Sequence, residues 1–451
     1  MPFKNRLVVT FRPRYIFRFN KNSTASSNNF DLLKTLLSSE TYSALGNVRS
    51  IIQKLESENV TGVENVFHRY SSWDIYQSVL SLSYLQKQRQ QQRQEQQHPP
   101  QQKQISPELI STLTKYSIYS SAVYGWALNV GLRRKLPKTT NNLTNFLKAT
   151  NLTAADVIHA DLKSKTGRPA FIVVKDTTTK TLVVTIRGTL SFKDVLTDLC
   201  CEGENVNVET SSTSSWFRRK IVRAPDPNFA AHSGFLTGAR SISKRCKSKI
   251  ATFLEDPANK DYKIVLTGHS LGAATAVLLK ALWADSFKGF QTNCYVYGVP
   301  CVGEETGYVV SKLDNVVGVV VENDPFATIS LGHLVEISRR VGWFCREKEV
   351  RERVCKMRGE VGGEIEARVI WEKMEEALKL KAGVDFTTKK FFPPGELYKL
   401  AADGKELTRV ENRREEFGEF LLKKVGLDFP LHVPNVYEDS MRKLNSSFHK
   451  V

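Results

Sequence analysis

"KIVLTGHSLGAATAVLLKAL" occupies Lys263 to Leu282. Ile264, Val265 and Leu266 form a short apolar run of strand type, and Ala273 to Leu282 reads as a buried helix. Between them stands Gly268-His269-Ser270-Leu271-Gly272. A strand that turns at once into a helix brings the two backbones together and forces unusual angles on the residue at the bend. Gly268 and Gly272, with Ala273 and Ala274 behind them, remove the side chains that would clash. The predicted result is a sharp turn with Ser270 at its tip.

A serine hydroxyl is a weak nucleophile until a base takes its proton. A turn of this kind lifts the hydroxyl clear of the sheet, where an imidazole can reach it. The spacing is that of the Gly-x-Ser-x-Gly nucleophile elbow. The helix N-terminus behind Ser270 also aims backbone N–H groups at developing negative charge. Leu271, the next residue, is one candidate oxyanion donor. The second should come from the end of an earlier strand. "LVVTIRGTLSFKDVLTDL" ends a strand at Arg187-Gly188 and then offers Thr189, by its N–H and its hydroxyl.

On a fold that carries such an elbow, an acid and then a histidine follow the serine along the chain. "VVGVVVENDPFATIS" places Asp324 just past an apolar strand. Glu322 is its competitor, but it lies within the strand pattern. Strand-end geometry favours Asp324. Of the eight histidines, His333, His432 and His449 follow it. His333 falls close to Asp324 at what reads as the start of a helix, and His449 lies near the terminus. His432 sits in "LDFPLHVPNVYEDSM", a Pro-flanked loop suited to a fixed side chain. His432 is preferred as base, with His333 as the alternative.

The 451 residues suffice for one large core and a smaller unit. Seven scattered cysteines argue against a disulfide framework and for a reducing, intracellular compartment. No Cys/His spacing resembles a zinc site, and acyl transfer by a serine requires no metal or organic cofactor, although calcium activation stays open. The formal net charge of +18 draws the chain to polyanions. No zinc finger, RNA-binding signature or long basic helix is present, so nucleic acid is not expected. Attraction to an anionic membrane surface and plain solubility are the two readings of that charge, and neither is preferred. No stretch reaches the roughly 18 apolar residues of a membrane span. The N-terminal segment mixes Arg12, Arg14 and Arg18 with apolar residues, which excludes a secretory h-region and leaves a basic tail or an organelle-targeting peptide.

Along the chain, residues 1–30 read as a basic tail and 31–105 as a helical N-terminal region. That region ends in "QKQRQQQRQEQQHPPQQKQ", Gln86 to Gln104, which lacks apolar residues and reads as a linker. The unit carrying the chemistry is therefore expected over 106–451. Ser106 and Pro107 are placed to cap its first helix. From Phe171 onward the pattern alternates. "AFIVVKD" and "LVVTIRG" form a hairpin, and the helix opened by "AAHSGFLTGARSI" runs to about Leu254. The strands "KIVLTG", "NCYVYGVP" and "VVGVVVEND" follow. This predicts an α/β fold with a mainly parallel central sheet and helices on both faces. A charged helical insertion at about 338–390 reads as a solvated excursion.

Taken together, "TGHSLGAATA", "VVTIRGTLSFKDVLTDL", "AHSGFL" and "ENDPFATIS" resemble the class 3 lipases, and among them the diacylglycerol lipases. "FFPPGELYKL" and "FPLHVPNVYEDSMRKL" extend the resemblance over roughly 106–445. It implies an α/β-hydrolase fold, a triad of Ser270, Asp324 and His432, a following Tyr437, and hydrolysis of acylglycerol esters. Phospholipase A1 or galactolipase chemistry uses the same residues, and a silent lipase-like scaffold is the alternative of another class. The resemblance also implies a lid. Phe192, Val195, Leu196 and Leu199 fall on one face of a short predicted helix after Thr189. Packing of that face on the core is the plainer reading. His232 and His269 lie inside matched motifs with no triad role assigned.

Overall fold

The computed structural model describes residues 66–96, 105–125, 142–189, 203–205, 230–303, 313–357, 363–381, 390–420 and 429–448. In chain order these form α1 (Val66–Arg69), α2 (Ser72–Gln96), α3 (Pro107–Ala122) and α4 (Asn142–Thr150). The strands β1 (Val157–Asp161), β2 (Phe171–Asp176), β3 (Thr181–Ile186), β4 (Gly203–Asn205) and β5 (Ala230–His232) follow. Next come α5 (Ser233–Glu255), β6 (Lys263–His269), α6 (Leu271–Trp283), β7 (Thr292–Tyr297) and β8 (Val316–Val321). The helices α7 (Leu331–Arg346), α8 (Lys348–Met357) and α9 (Glu364–Lys381) precede β9 (Glu396–Leu400) and β10 (Leu407–Arg409). The short α10 (Arg413–Phe417) and the final α11 (Pro434–Phe448) complete the described elements. None of the described helices is long and apolar enough to cross a membrane.

The central sheet has the order β1-β2-β3-β6-β7-β8-β9-β10. Its five inner strands, β3, β6, β7, β8 and β9, are parallel; β1, β2 and β10 pair antiparallel at the edges. Strands with both faces covered carry apolar residues in unbroken succession, and alternate residues serve opposite cores. Phe171 and Val173 of β2 join Leu182, Val184, Ile264 and Leu266 on the face covered by α5 and α6. Ile172, Val174, Val183 and Val265 point the other way, into the layer of α3, α4 and α11. Trp283 of α6 donates its indole N–H to Ser243 of α5 at 2.9 Å, which pins the two helices together. The cap of α3 forms as the residues dictate: Ser106 accepts from Leu109 N at 3.2 Å with Pro107 at the first helical position.

Three expectations differ from this architecture. The glutamine-rich tract is not a linker from Gln86 onward, because α2 runs through it to Gln96. Gln86 is buried and donates its amide to Phe420 O at 3.0 Å. A helix needs no apolar residues where its amide side chains find partners, so composition alone misreads the segment. Nor is the boundary near residue 105 a boundary of the core. Val66, Leu82 and Leu85 pack into the same apolar cluster as the sheet and α6.

The insertion is helical but not merely solvated. Trp343, Phe344, Val354, Met357, Trp371 and Met374 of α7, α8 and α9 are buried in that cluster with α2. Arg340 sits almost fully buried between Glu336, Glu375 and Glu419. Its guanidinium lies 4.7 Å from the centroid of the Trp371 ring, as does that of Arg89 from α2. The charges along the insertion are thus partly internal pairs. The strands β1, β4, β5 and β10 and the helix α4 are short or only half-buried and lack a strong period, and sequence reading did not find them.

Candidate active site

Ser270 follows β6 directly and precedes α6, with φ +58° and ψ −126°. Such angles cost an L-residue on the order of 1–3 kcal/mol and persist only where the surroundings impose them. Here Ser270 N donates to Tyr297 O of β7 at 3.0 Å, and Ser270 O accepts from Ala274 N at 3.1 Å. The close approach expected of the glycines is present. A Cβ on Gly272 would stand 2.3 Å from Ile186 O and 3.0 Å from both Arg187 C and Gly188 N. The elbow therefore lies flush against the loop that leaves β3.

His432 closes a single 3-10 turn, Phe429–His432, before α11. Its Nε2 lies 2.8 Å from Ser270 Oγ and its Nδ1 lies 2.6 Å from Asp324 Oδ2. Facing a carboxylate, Nδ1 carries the proton and donates, so Nε2 accepts from the serine hydroxyl. Asp324 sits just past β8 and is both a cap and a partner. Oδ1 accepts from Phe326 N at 2.9 Å, and Oδ2 accepts from His432 and from the Tyr437 hydroxyl of α11. Burial alone would push the Asp324 carboxyl up, but the charge of His432 and the bonds from His432, Tyr437 and Phe326 N–H outweigh it and hold it below the usual carboxylate range. Tyr437 moves the other way: burial and the adjacent Asp324 keep its phenol protonated.

The structure separates the competitors from this group. Glu322 is exposed at the end of β8. His333 is buried at the start of α7, where its Nδ1 pairs with Ser330 Oγ at 2.7 Å. His449 lies outside the described residues, as do Phe192, Val195, Leu196 and Leu199. His232 stacks on Phe235 at 4.1 Å between ring centroids. Leu271 opens α6, so its N–H is among the first-turn donors that have no intrahelical partner. Thr189 is half-buried on the loop that packs against the elbow.

Sequence reasoning missed a neighbour of the base and a neighbour of the elbow. Phe326 stacks on the His432 ring at 3.9 Å with an interplanar angle of 23°. Tyr124, at the end of the α3 segment, is fully buried and reaches His269 from 145 residues away in the chain. A stacked ring two residues after Asp324 was open to suspicion from "NDPF". Nothing in the local sequence marks Tyr124.

A hydroxyl held by an imidazole, itself held by a buried carboxylate, on the tip of a strand–helix turn defines a serine hydrolase arrangement. The parallel sheet and the chain order serine, acid, histidine make the fold an α/β-hydrolase.

Residues 183–333 match the family Lipase (class 3). Among curated relatives, it is 27% identical over 265 residues to diacylglycerol lipase-beta of Mus musculus, covering 54% of this chain and 37% of that protein. It is 30% identical over 155 residues to diacylglycerol lipase-alpha of Rattus norvegicus, covering 33% of this chain and 13% of that one. The chain thus spans well under half the length of these two relatives. Among solved structures, a Rhizomucor miehei lipase propeptide complex aligns with 17% identity and a TM-score of 0.42, covering 72% of this chain and 76% of that one.

Proposed function

We propose that this chain is a serine hydrolase of acylglycerol esters that cleaves diacylglycerol to monoacylglycerol and a fatty acid. The observation that carries the reading is the hydrogen-bonded series from Ser270 through His432 to Asp324 at the elbow. The class 3 lipase match over the elbow segment and the names of the curated relatives support the substrate class.

In this reading Ser270 Oγ attacks the ester carbonyl carbon as its proton passes to His432 Nε2. Asp324 stays ionised, holds the ring through Nδ1–H and stabilises the imidazolium. The carbonyl oxygen, now negative, is held by Leu271 N–H and by Thr189. When the tetrahedral adduct collapses, His432 gives its proton to the departing glyceride oxygen, and monoacylglycerol leaves. Water then attacks the acyl-enzyme with His432 as base. The fatty acid departs and Ser270 regains its proton. The formal net charge of +18 favours contact with an anionic lipid surface as the place of reaction.

A panel of diacylglycerol, phosphatidylcholine, galactolipid and a soluble short-chain ester, assayed with wild type and Ser270→Ala, tests the proposal. Diacylglycerol should be cleaved fastest. Ser270→Ala should lose on the order of 10³-fold or more of the rate on every substrate. A folded Ser270→Ala protein that retains activity would refute the nucleophile, and preference for a polar lipid would refute the substrate.

A further inference from the structure

Charge is unevenly placed along this chain. Residues 313–381, which include the insertion helices α7, α8 and α9, hold acids and bases in near-equal number, and many of these pair with one another. In α5 the balance is lost. It carries Arg240, Lys244, Arg245, Lys247 and Lys249, and its one acid is Glu255, its last residue. The connection from β1 to β2, residues 162–170, adds Lys163, Lys165 and Arg168 and has no acid. Asp161, which precedes it, is shared between Arg168 at 2.9 Å and Arg245 at 2.8 Å.

Connection and helix form one surface. A Cβ on Gly167 would stand 3.1 Å from Thr237 Cγ2 of α5, and one on Gly238 would stand 3.1 Å from Pro169 Cγ. Arg245 donates to Pro169 O at 2.9 Å. Lys165 and Arg168 exchange both backbone hydrogen bonds, at 3.0 and 2.9 Å, across Thr166 and Gly167. Gly167 has a φ of +66°, in the region that tight two-residue turns use. The turn therefore presents its basic side chains from a fixed backbone, and Lys163, Lys165 and Arg168 are all exposed. Lys244 is exposed too and falls seven residues after Thr237, on the same face of α5.

The sheet sets this surface beside the elbow. β3 is parallel to β6, with Ile186 beside Gly268, so both strands end on the edge where Ser270 stands. β2 runs the other way, and its first residue, Phe171, pairs with Ile186 and with Asp161 at the end of β1. The connection thus projects from the edge that carries the elbow. Arg187 ties it there. Its N–H donates to Ala170 O at 2.9 Å and its guanidinium donates to Ser164 Oγ at 2.6 Å, while the adjacent Gly188 lies against Gly272 of the elbow.

Resting on the function proposed above, we propose that this basic rim, Lys163, Lys165 and Arg168 with Lys244 of α5, is the surface by which the protein seats on an anionic membrane. The proposed substrate lies in the membrane, so contact is productive only where it brings the elbow's edge of the sheet to the lipid. A basic side chain close to anionic headgroups raises affinity roughly fivefold. That attraction is screened within about 10 Å at moderate salt, so charge on the opposite edge of the sheet does not replace it.

The test measures binding of the full chain, carrying Ser270→Ala so that lipid is left intact, to vesicles of phosphatidylcholine with about 30% phosphatidylserine. Lys163→Gln/Lys165→Gln should lower the partition coefficient about 20-fold, and Lys163→Glu/Lys165→Glu about 10²-fold or more. Lys260 and Lys263 are exposed where β6 begins, at the opposite edge. Lys260→Glu/Lys263→Glu changes the net charge equally and should cost less than about threefold. With Ser270 restored, the rim substitutions should slow diacylglycerol hydrolysis in the same vesicles about tenfold or more. The soluble short-chain ester should stay within about twofold of wild type, which also shows the fold intact. Equal losses in the two charge-reversed pairs, unchanged vesicle binding in the rim variants, or equal losses on the vesicle and soluble substrates would each overturn the inference. So would a short DNA duplex that binds more tightly than the vesicles and is released by the same substitutions. Vesicle binding reads the surface whether or not the protein turns over an ester. Retained activity in Ser270→Ala would instead refute the proposed function.

Discussion

Tyr437 donates its hydroxyl to Asp324 Oδ2, the same oxygen that accepts from His432 Nδ1. The Tyr437 oxygen in turn accepts from Val321 N at 3.1 Å, so the acid is tied to the last residue of its own strand. The arrangement holds the Asp324 carboxylate facing His432.

Tyr437→Phe should therefore weaken both stability and activity. It leaves Val321 N without its acceptor and the carboxylate with one donor fewer, a cost of about 1–3 kcal/mol. The Asp324 carboxyl is held below its ordinary value in the folded state, so its contribution is present above the unfolded value and is lost as pH falls through the folded one. Loss of the phenol raises the folded value. The acid midpoint of unfolding should move to higher pH, and urea titrations at a series of pH values measure it.

Ser270 offers a test of stored strain that is separate from catalysis. Its φ of +58° is one that glycine adopts freely. Ser270→Gly should be more stable than Ser270→Ala by about 1 kcal/mol, although both are inactive. Denaturant midpoints of the two variants decide it. Equal midpoints would mean that the elbow is relaxed.

His333 supplies a pH dependence unrelated to the reaction. Burial foremost, with Lys390 close by, lowers it from 6.5 to about 4, and Glu336 only partly compensates. The unfolded chain therefore binds a proton between those values that the folded chain refuses. Stability should rise with pH through that window and fall as pH drops from about 6.5 towards 4. His333→Gln should flatten this dependence and leave ester hydrolysis near the wild-type rate. A large loss of kcat in a folded His333→Gln protein would mean that His333 acts in the chemistry.

The N-terminal helix should prove necessary to the fold. Leu82 of α2 is completely buried in the main core, and Arg351 of α8 is buried against Asp74 of α2. Leu82→Ala should cost about 2–5 kcal/mol. A chain beginning at Ser106 should melt well below the full chain. Thermal unfolding of both proteins tests this, and an undiminished melting temperature in the truncated chain would show that α2 rests on the core without supporting it.

By itself the sequence determined the elbow, the alternation of strand and helix, and the order serine, acid, histidine. These are local properties. A Gly-x-Ser-x-Gly turn is specified by the absence of Cβ atoms within five residues, and a buried parallel strand by an unbroken apolar run. It also singled out Asp324, because an acid just past a strand end stands at the carboxyl edge of the sheet. What it could not determine depends on partners far apart in the chain. Whether His333 or His432 faces Ser270 is decided by which loop the sheet brings to the elbow. Tyr124 gains its place beside His269 only when α3 docks on β6 and β7. The glutamine-rich helix and the charged insertion were misread for the same reason. Polar and charged side chains reveal nothing locally about burial, and Gln86, Arg340 and Arg351 are buried with partners that arrive from elsewhere in the chain, Phe420, Glu419 and Asp74.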